Sequence, residues 1–107
     1  MPEFYEIVHA RLREGVEDEV KARRPALEAA VRERLPGLLD ISLVRLDDGT
    51  YMDVLRWESR AAADAAVELF ASIPEAGEIH GHFAEDLGHH RGEVLTDATD
   101  GDRAVRA

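Results

Sequence analysis

The chain has 107 residues, enough for one domain and one hydrophobic core. Its formal net charge of −10 argues against nucleic acid and anionic membrane surfaces as partners, since both need a basic face. With 45% hydrophobic residues, no cysteine and no apolar run of bilayer length, the composition is that of a soluble globular domain without disulfides. No signal-peptide pattern is visible at the N-terminus, and a cytoplasmic protein is expected.

Residues 4–12 read as a first strand. Phe4, Glu6, Val8, Ala10 and Leu12 fall on one face, and Tyr5, Ile7, His9 and Arg11 on the other. After Gly15, Val16, Val20, Leu27, Val31 and Leu35 recur at helical spacing until Pro36-Gly37 stops the pattern. Pro25 falls inside this helix, so a kink or a fresh start is expected near Arg24.

Two apolar runs, 38–46 and 51–57, flank Asp47-Asp48-Gly49, a strong hairpin signal. A two-residue loop would set Asp40 opposite Trp57. A three-residue loop with Gly49 in the left-handed bulge position would set Asp40 opposite Arg56. The second register is preferred, because it pairs opposite charges and gathers Leu39, Ile41, Leu43, Tyr51, Leu55 and Trp57 on one face. Arg45 and Asp53 lie on that face, diagonally near each other. An aromatic, apolar face with a few polar groups suits a small-molecule pocket. A core tryptophan beside an edge ion pair is the plainer alternative.

Ser59 suits the N-cap of a second helix whose apolar stripe is Ala62, Ala63, Ala66, Val67, Phe70 and Ile73, with Pro74 ending it. A short helix is expected within 75–83, and a polar last strand over 85–95, bulged at Gly88 or Gly92. The domain then covers residues 1–96. The acidic stretch 97–107 has almost nothing apolar to bury and is expected to be a disordered or loosely attached tail.

Strand, helix, strand, strand, helix, strand is the α+β, ferredoxin-like βαββαβ order, an antiparallel sheet with both helices on one face. The other face would carry Val44, Leu46, Met52 and Val54 uncovered. Two such faces packed together would make a homodimer of the dimeric α/β-barrel kind. His9, on that side, is expected to be a satisfied interface residue.

Three segments carry a resemblance to the antibiotic biosynthesis monooxygenase family of the dimeric α/β-barrel superfamily. They are residues 4–15 leading into a helix, Leu35-Pro36-Gly37-Leu38 before the second strand, and Leu55-Arg56-Trp57-Glu58-Ser59 before the second helix. The resemblance spans roughly residues 4–95. It implies a pocket between each subunit's own sheet and helices, lined by a tryptophan at the end of the third strand, which Trp57 matches. Members include oxygenases that turn phenols or anthrones into quinones without a cofactor, haem-degrading enzymes, and small proteins of unknown role. In the haem-degrading members, an asparagine on the first strand matches Val8, which donates no hydrogen bond, and a histidine after the second helix matches His80 or His82.

A cofactor-free oxygenase needs a dry aromatic pocket, a base for the phenol and a donor for the oxyanion. Trp57 and Tyr51 are candidates for the aromatic wall, Asp53, His80 or His82 for the base, and Arg45 for the anion. No metal ligand set is expected: His80 and His82 are two apart, and His89 and His90 adjacent, so neither pair shares a helix face. The expected reading is a cofactor-independent oxygenase acting on a small aromatic phenol. The alternatives are a non-catalytic binding or accessory protein of the same fold and, less favoured, a haem-binding protein.

Overall fold

The computed structural model describes residues 2–97. Strict alternation makes residues Phe4–Leu12 the first strand, β1, with Phe4, Ala10 and Leu12 buried on one face. Helix α1, Glu17–Arg34, buries Val20, Leu27 and Val31 and carries Glu17, Asp18 and Glu19 in its first turn, where they complement the helix dipole. It runs without a fresh start at Arg24, and Pro25 sits inside it. Lys21 and Pro25 are both exposed, so the carbonyl that loses its donor is open to water.

The hairpin pairs β2, Leu38–Arg45, with β3, Tyr51–Trp57. Its register sets Asp40 opposite Arg56, as the three-residue loop requires, and Gly49 has φ +87°. Arg56, however, bonds to Glu3 at 2.9 Å across to the N-terminal edge, and Asp40 lies 3.7 Å from Arg32. The ladder shifts between Leu38 and Asp40. Leu38 therefore packs on the core, while Leu39, expected inside, is 36% exposed.

Ser59 caps α2, Arg60–Phe70, accepting the Ala62 N–H at 3.1 Å. The helix stops at Phe70, short of Pro74. Pro74 opens the next helix, α3, Pro74–His80, at a first-turn position where its missing N–H has no partner to lose. The last strand, β4, is Phe83–Glu93. It bulges between the His9–Gly88 and Ala10–Asp86 pairs, one of the two places expected.

The sheet is antiparallel in the order β2-β3-β1-β4, the ferredoxin-like arrangement. Phe4, Leu12, Ile41, Leu55 and Trp57 on its inner face form one core with residues of all three helices. Each such side chain contributes roughly 1.5–3 kcal/mol by leaving water. The opposite sheet face carries Ile7, Met52 and Val54, with Val44 42% exposed. No helix among the described residues is long and apolar enough to cross a membrane. Of the expected tail, all but Asp97 lies outside the described residues.

Candidate functional site

The inner sheet face and the helices do not close completely. Between them lies a cavity of about 360 Å³. Its apolar wall includes Leu27 of α1, Leu55 and Trp57 of β3, and Ala63, Ala66 and Phe70 of α2. The alanines leave the space. With larger side chains there, α2 would fill the gap above the sheet. Val67 lines the cavity and is still 63% exposed, so the cavity opens to solvent along α2.

Trp57 closes the end of β3, paired with Phe4 and Leu38. It is both core and wall, lining the cavity at 1% exposure. The two readings of this residue were not alternatives. Its indole N–H is buried without a hydrogen-bond partner among the described residues.

Asp53 also lines the cavity, but not as the neighbour of Arg45. Its two oxygens take two bonds from Arg24 of α1, at 2.9 and 3.0 Å. Arg24 is buried, with Glu28 3.5 Å from its Nε. Burial alone would weaken its charge, yet the bonds and charge of Asp53 outweigh that and hold its pKa above the ordinary guanidinium value. An arginine in an otherwise apolar helix stripe was the unread signal for this pair.

Tyr51 and Arg45 share the inner face with Asp53 but not the cavity wall. Tyr51 lies six residues before Trp57, roughly 20 Å along the strand. Its hydroxyl donates to Glu17 at the start of α1, and Arg45 bonds to the same carboxylate at 2.8 and 3.0 Å. The Tyr51 bond, then Arg45, hold the Glu17 carboxyl below its usual range, and the same bond pushes the Tyr51 phenol up. These groups close the far end of the core.

The two histidines beside Gly81 part company, because α3 ends between them. His80 lines the cavity, its ring 5.3 Å from that of Phe83. His82 lies outside the wall, 3.8 Å from Glu19. On the open face, the Thr50 hydroxyl donates to Asp48 at 2.6 Å, so its oxygen accepts from His9 Nε2 at 2.8 Å. His9 is satisfied, as expected.

Glu6, Asp86 and His89, none of them among the expected site residues, also line the cavity. Glu6 was legible as a carboxylate between Phe4 and Val8 on an apolar strand face. His89 was not, because its place depends on how β4 pairs with β1: it sits opposite Val8. No group of three or more side chains placed to hold a metal ion occurs among the described residues.

The sequence matches the model of the family described as antibiotic biosynthesis monooxygenase over residues 4–72. The chain belongs to the antibiotic biosynthesis monooxygenase family. Solved structures agree in fold. A candidate antibiotic biosynthesis monooxygenase from Bordetella bronchiseptica superposes with a TM-score of 0.75 at 19% identity, covering 90% of this chain and all of that one. SnoaB, a cofactor-independent oxygenase from Streptomyces nogalater, gives 0.66 at 17% identity, covering 94% and 98%. A haem-degrading protein from Mycobacterium tuberculosis, in its haem-free form, gives 0.61 at 26% identity, covering 90% and 94%. No curated protein matches the sequence significantly.

Proposed function

We propose that this monooxygenase-family protein binds a small aromatic phenol in the cavity between its own sheet and helices, and oxidises it with dioxygen without a metal or organic cofactor. The observation that carries this reading is the cavity itself. A space of about 360 Å³ is walled by Trp57, Phe70 and aliphatic side chains, with the acceptors Glu6, Asp53, Asp86, His80 and His89 at its edge. A planar aromatic ring fits such walls, and hydroxyl donors fit such acceptors. Trp57 serves as the aromatic wall in this proposal. Asp53, already bonded to Arg24 through both oxygens, serves to hold shape more than to take a proton.

Haem does not fit these residues. Its propionates call for basic partners, yet among the described residues no lysine or arginine side chain lines the cavity, whereas three carboxylates do. Val8, in the cavity wall where the haem-degrading members carry an asparagine, offers no hydrogen bond.

The same proposal includes a cytoplasmic homodimer joined through the open sheet faces. The exposed Val44 and the half-buried Ile7, Met52 and Val54 on that face support it. A monomer by static light scattering at micromolar concentration would sink the dimer.

Oxygen uptake with a panel of anthrones and dihydroxynaphthalenes tests the activity. Uptake that saturates with substrate supports the enzyme. Tight binding without uptake favours the accessory-protein alternative. Absence of both removes the cavity as an aromatic site.

A further inference from the structure

We infer that His89 is the proton acceptor of this cavity and that Glu6 is its positioning residue, an inference that rests on the cavity being a phenol site. The pairing of β4 with β1 sets His89 opposite Val8 and Arg91 opposite Glu6. Glu6, Val8 and His89 thereby line one stretch of cavity wall. The Glu6 side chain is 13% exposed and that of His89 51%, so the pair sits where the cavity wall meets solvent. Its Oε2 receives His89 Nε2 at 3.3 Å and Arg91 Nε at 3.2 Å. Arg91 is fixed in turn, 2.6 Å from Asp64 and 4.9 Å from the centre of the Phe4 ring.

A carboxylate only accepts hydrogen bonds. His89 therefore donates from Nε2, and in the tautomer that carries its single proton there the free lone pair is on Nδ1. A general base needs a residue in the cavity wall with one acceptor nitrogen and an orienting group on the other, and His89 with Glu6 supplies that pair. The three candidates expected from the sequence lack one part or the other. Asp53 has spent both oxygens on Arg24. His82 is outside the wall. His80 is in the wall, but no side chain among the described residues hydrogen-bonds its ring to orient it.

The step is a proton transfer alone. The phenol O–H bond breaks, its electron pair stays on the phenol oxygen, and the proton forms an N–H bond at His89 Nδ1. The imidazolium so formed is stabilised by the Glu6 carboxylate on its other nitrogen. Nothing is oxidised or reduced in it.

The test uses 4-nitro-1-naphthol, whose phenolate is strongly coloured, with the full-length protein. Quenching of Trp57 fluorescence reads binding, and colour reads ionisation of the bound probe across pH. In wild type, the bound probe should colour at lower pH than in His89→Gln, by about one unit, a tenfold change in the ionisation equilibrium. Glu6→Gln should shift the midpoint in the same direction. His90→Gln, on the same strand with its side chain on the opposite face, should leave it unchanged. Oxygen uptake with an oxidisable naphthol should fall by roughly 10²–10⁴-fold in His89→Gln, in kcat rather than KM. Binding with the same midpoint in wild type and His89→Gln would overturn His89 as the acceptor and leave the aromatic cavity standing. No binding by wild type would overturn the cavity reading, and this inference with it.

Discussion

Arg24 of α1 and Asp53 of β3 meet in a two-bond ion pair that ties the long helix to the centre of the sheet, with side chains only 6% and 17% exposed. Removing one partner strands the other. Asp53→Asn keeps the shape but leaves a buried guanidinium with Glu28 as its one carboxylate partner among the described residues. Its expected loss of stability is toward the lower end of about 3–5 kcal/mol, read by urea unfolding. Replacing the pair together, Arg24→Met with Asp53→Leu, should recover most of that loss. A loss under about 1 kcal/mol in Asp53→Asn would mean that the pair behaves as a solvated one.

Trp57 combines full burial with a place in the cavity wall. Trp57→Ala should cost about 3–5 kcal/mol, a large share of the stability of a small domain. Trp57→Phe keeps most of the contact and should cost clearly less, while still changing affinity for an aromatic ligand. Thermal melts separate the two variants, and equilibrium binding to Trp57→Phe reads the wall. Equal melting temperatures for wild type and Trp57→Ala would show that the side chain is not part of the core.

Gly37 and Gly49 share φ +87° but not their surroundings. At Gly49 an added Cβ meets nothing within 4 Å, so Gly49→Ala should cost only the left-handed backbone penalty, roughly 1–2 kcal/mol. At Gly37 the same Cβ would fall 2.6 Å from the Ala62 Cβ, where β2 begins beneath α2. Gly37→Ala should therefore be markedly worse than Gly49→Ala in the same unfolding assay. Equal losses would show that α2 moves aside freely.

Glu17 supplies a pH dependence. Tyr51 and Arg45 depress its folded-state pKa below its ordinary value of 4.5. A depressed carboxylate contributes stability that is full above the unfolded-state value and is lost as pH falls through the folded-state one. Wild type should therefore lose this contribution below about pH 4.5. In Tyr51→Phe, which removes the main cause, that acid-side loss should shrink. Unfolding midpoints from pH 3 to 7 check it, and identical acid limbs would exclude the Tyr51 bond as the cause.

What could be read from residue order was whatever depends on neighbours along the chain. Alternation set the faces of β1, Asp47-Asp48-Gly49 set the hairpin loop, and Ser59 marked the start of α2, each through a local backbone preference. The same locality explains the misreadings. Leu39 alternates correctly, yet a bulge that forms only when β2 meets β3 turns it outward. Pro74 looked like a stop and is a start, since a first-turn position suits its fixed φ as well as a terminus does. The site was legible only in part. Trp57, Asp53 and His80 reach the cavity, because strand parity and the end of α3 put them there. Asp53 takes Arg24 as its partner, and His89 comes to Glu6, through helix-on-sheet packing and a pairing between the first and last strands. Those contacts join residues 29 and 83 positions apart. No local preference specifies such a distance, and only the closed core decides it.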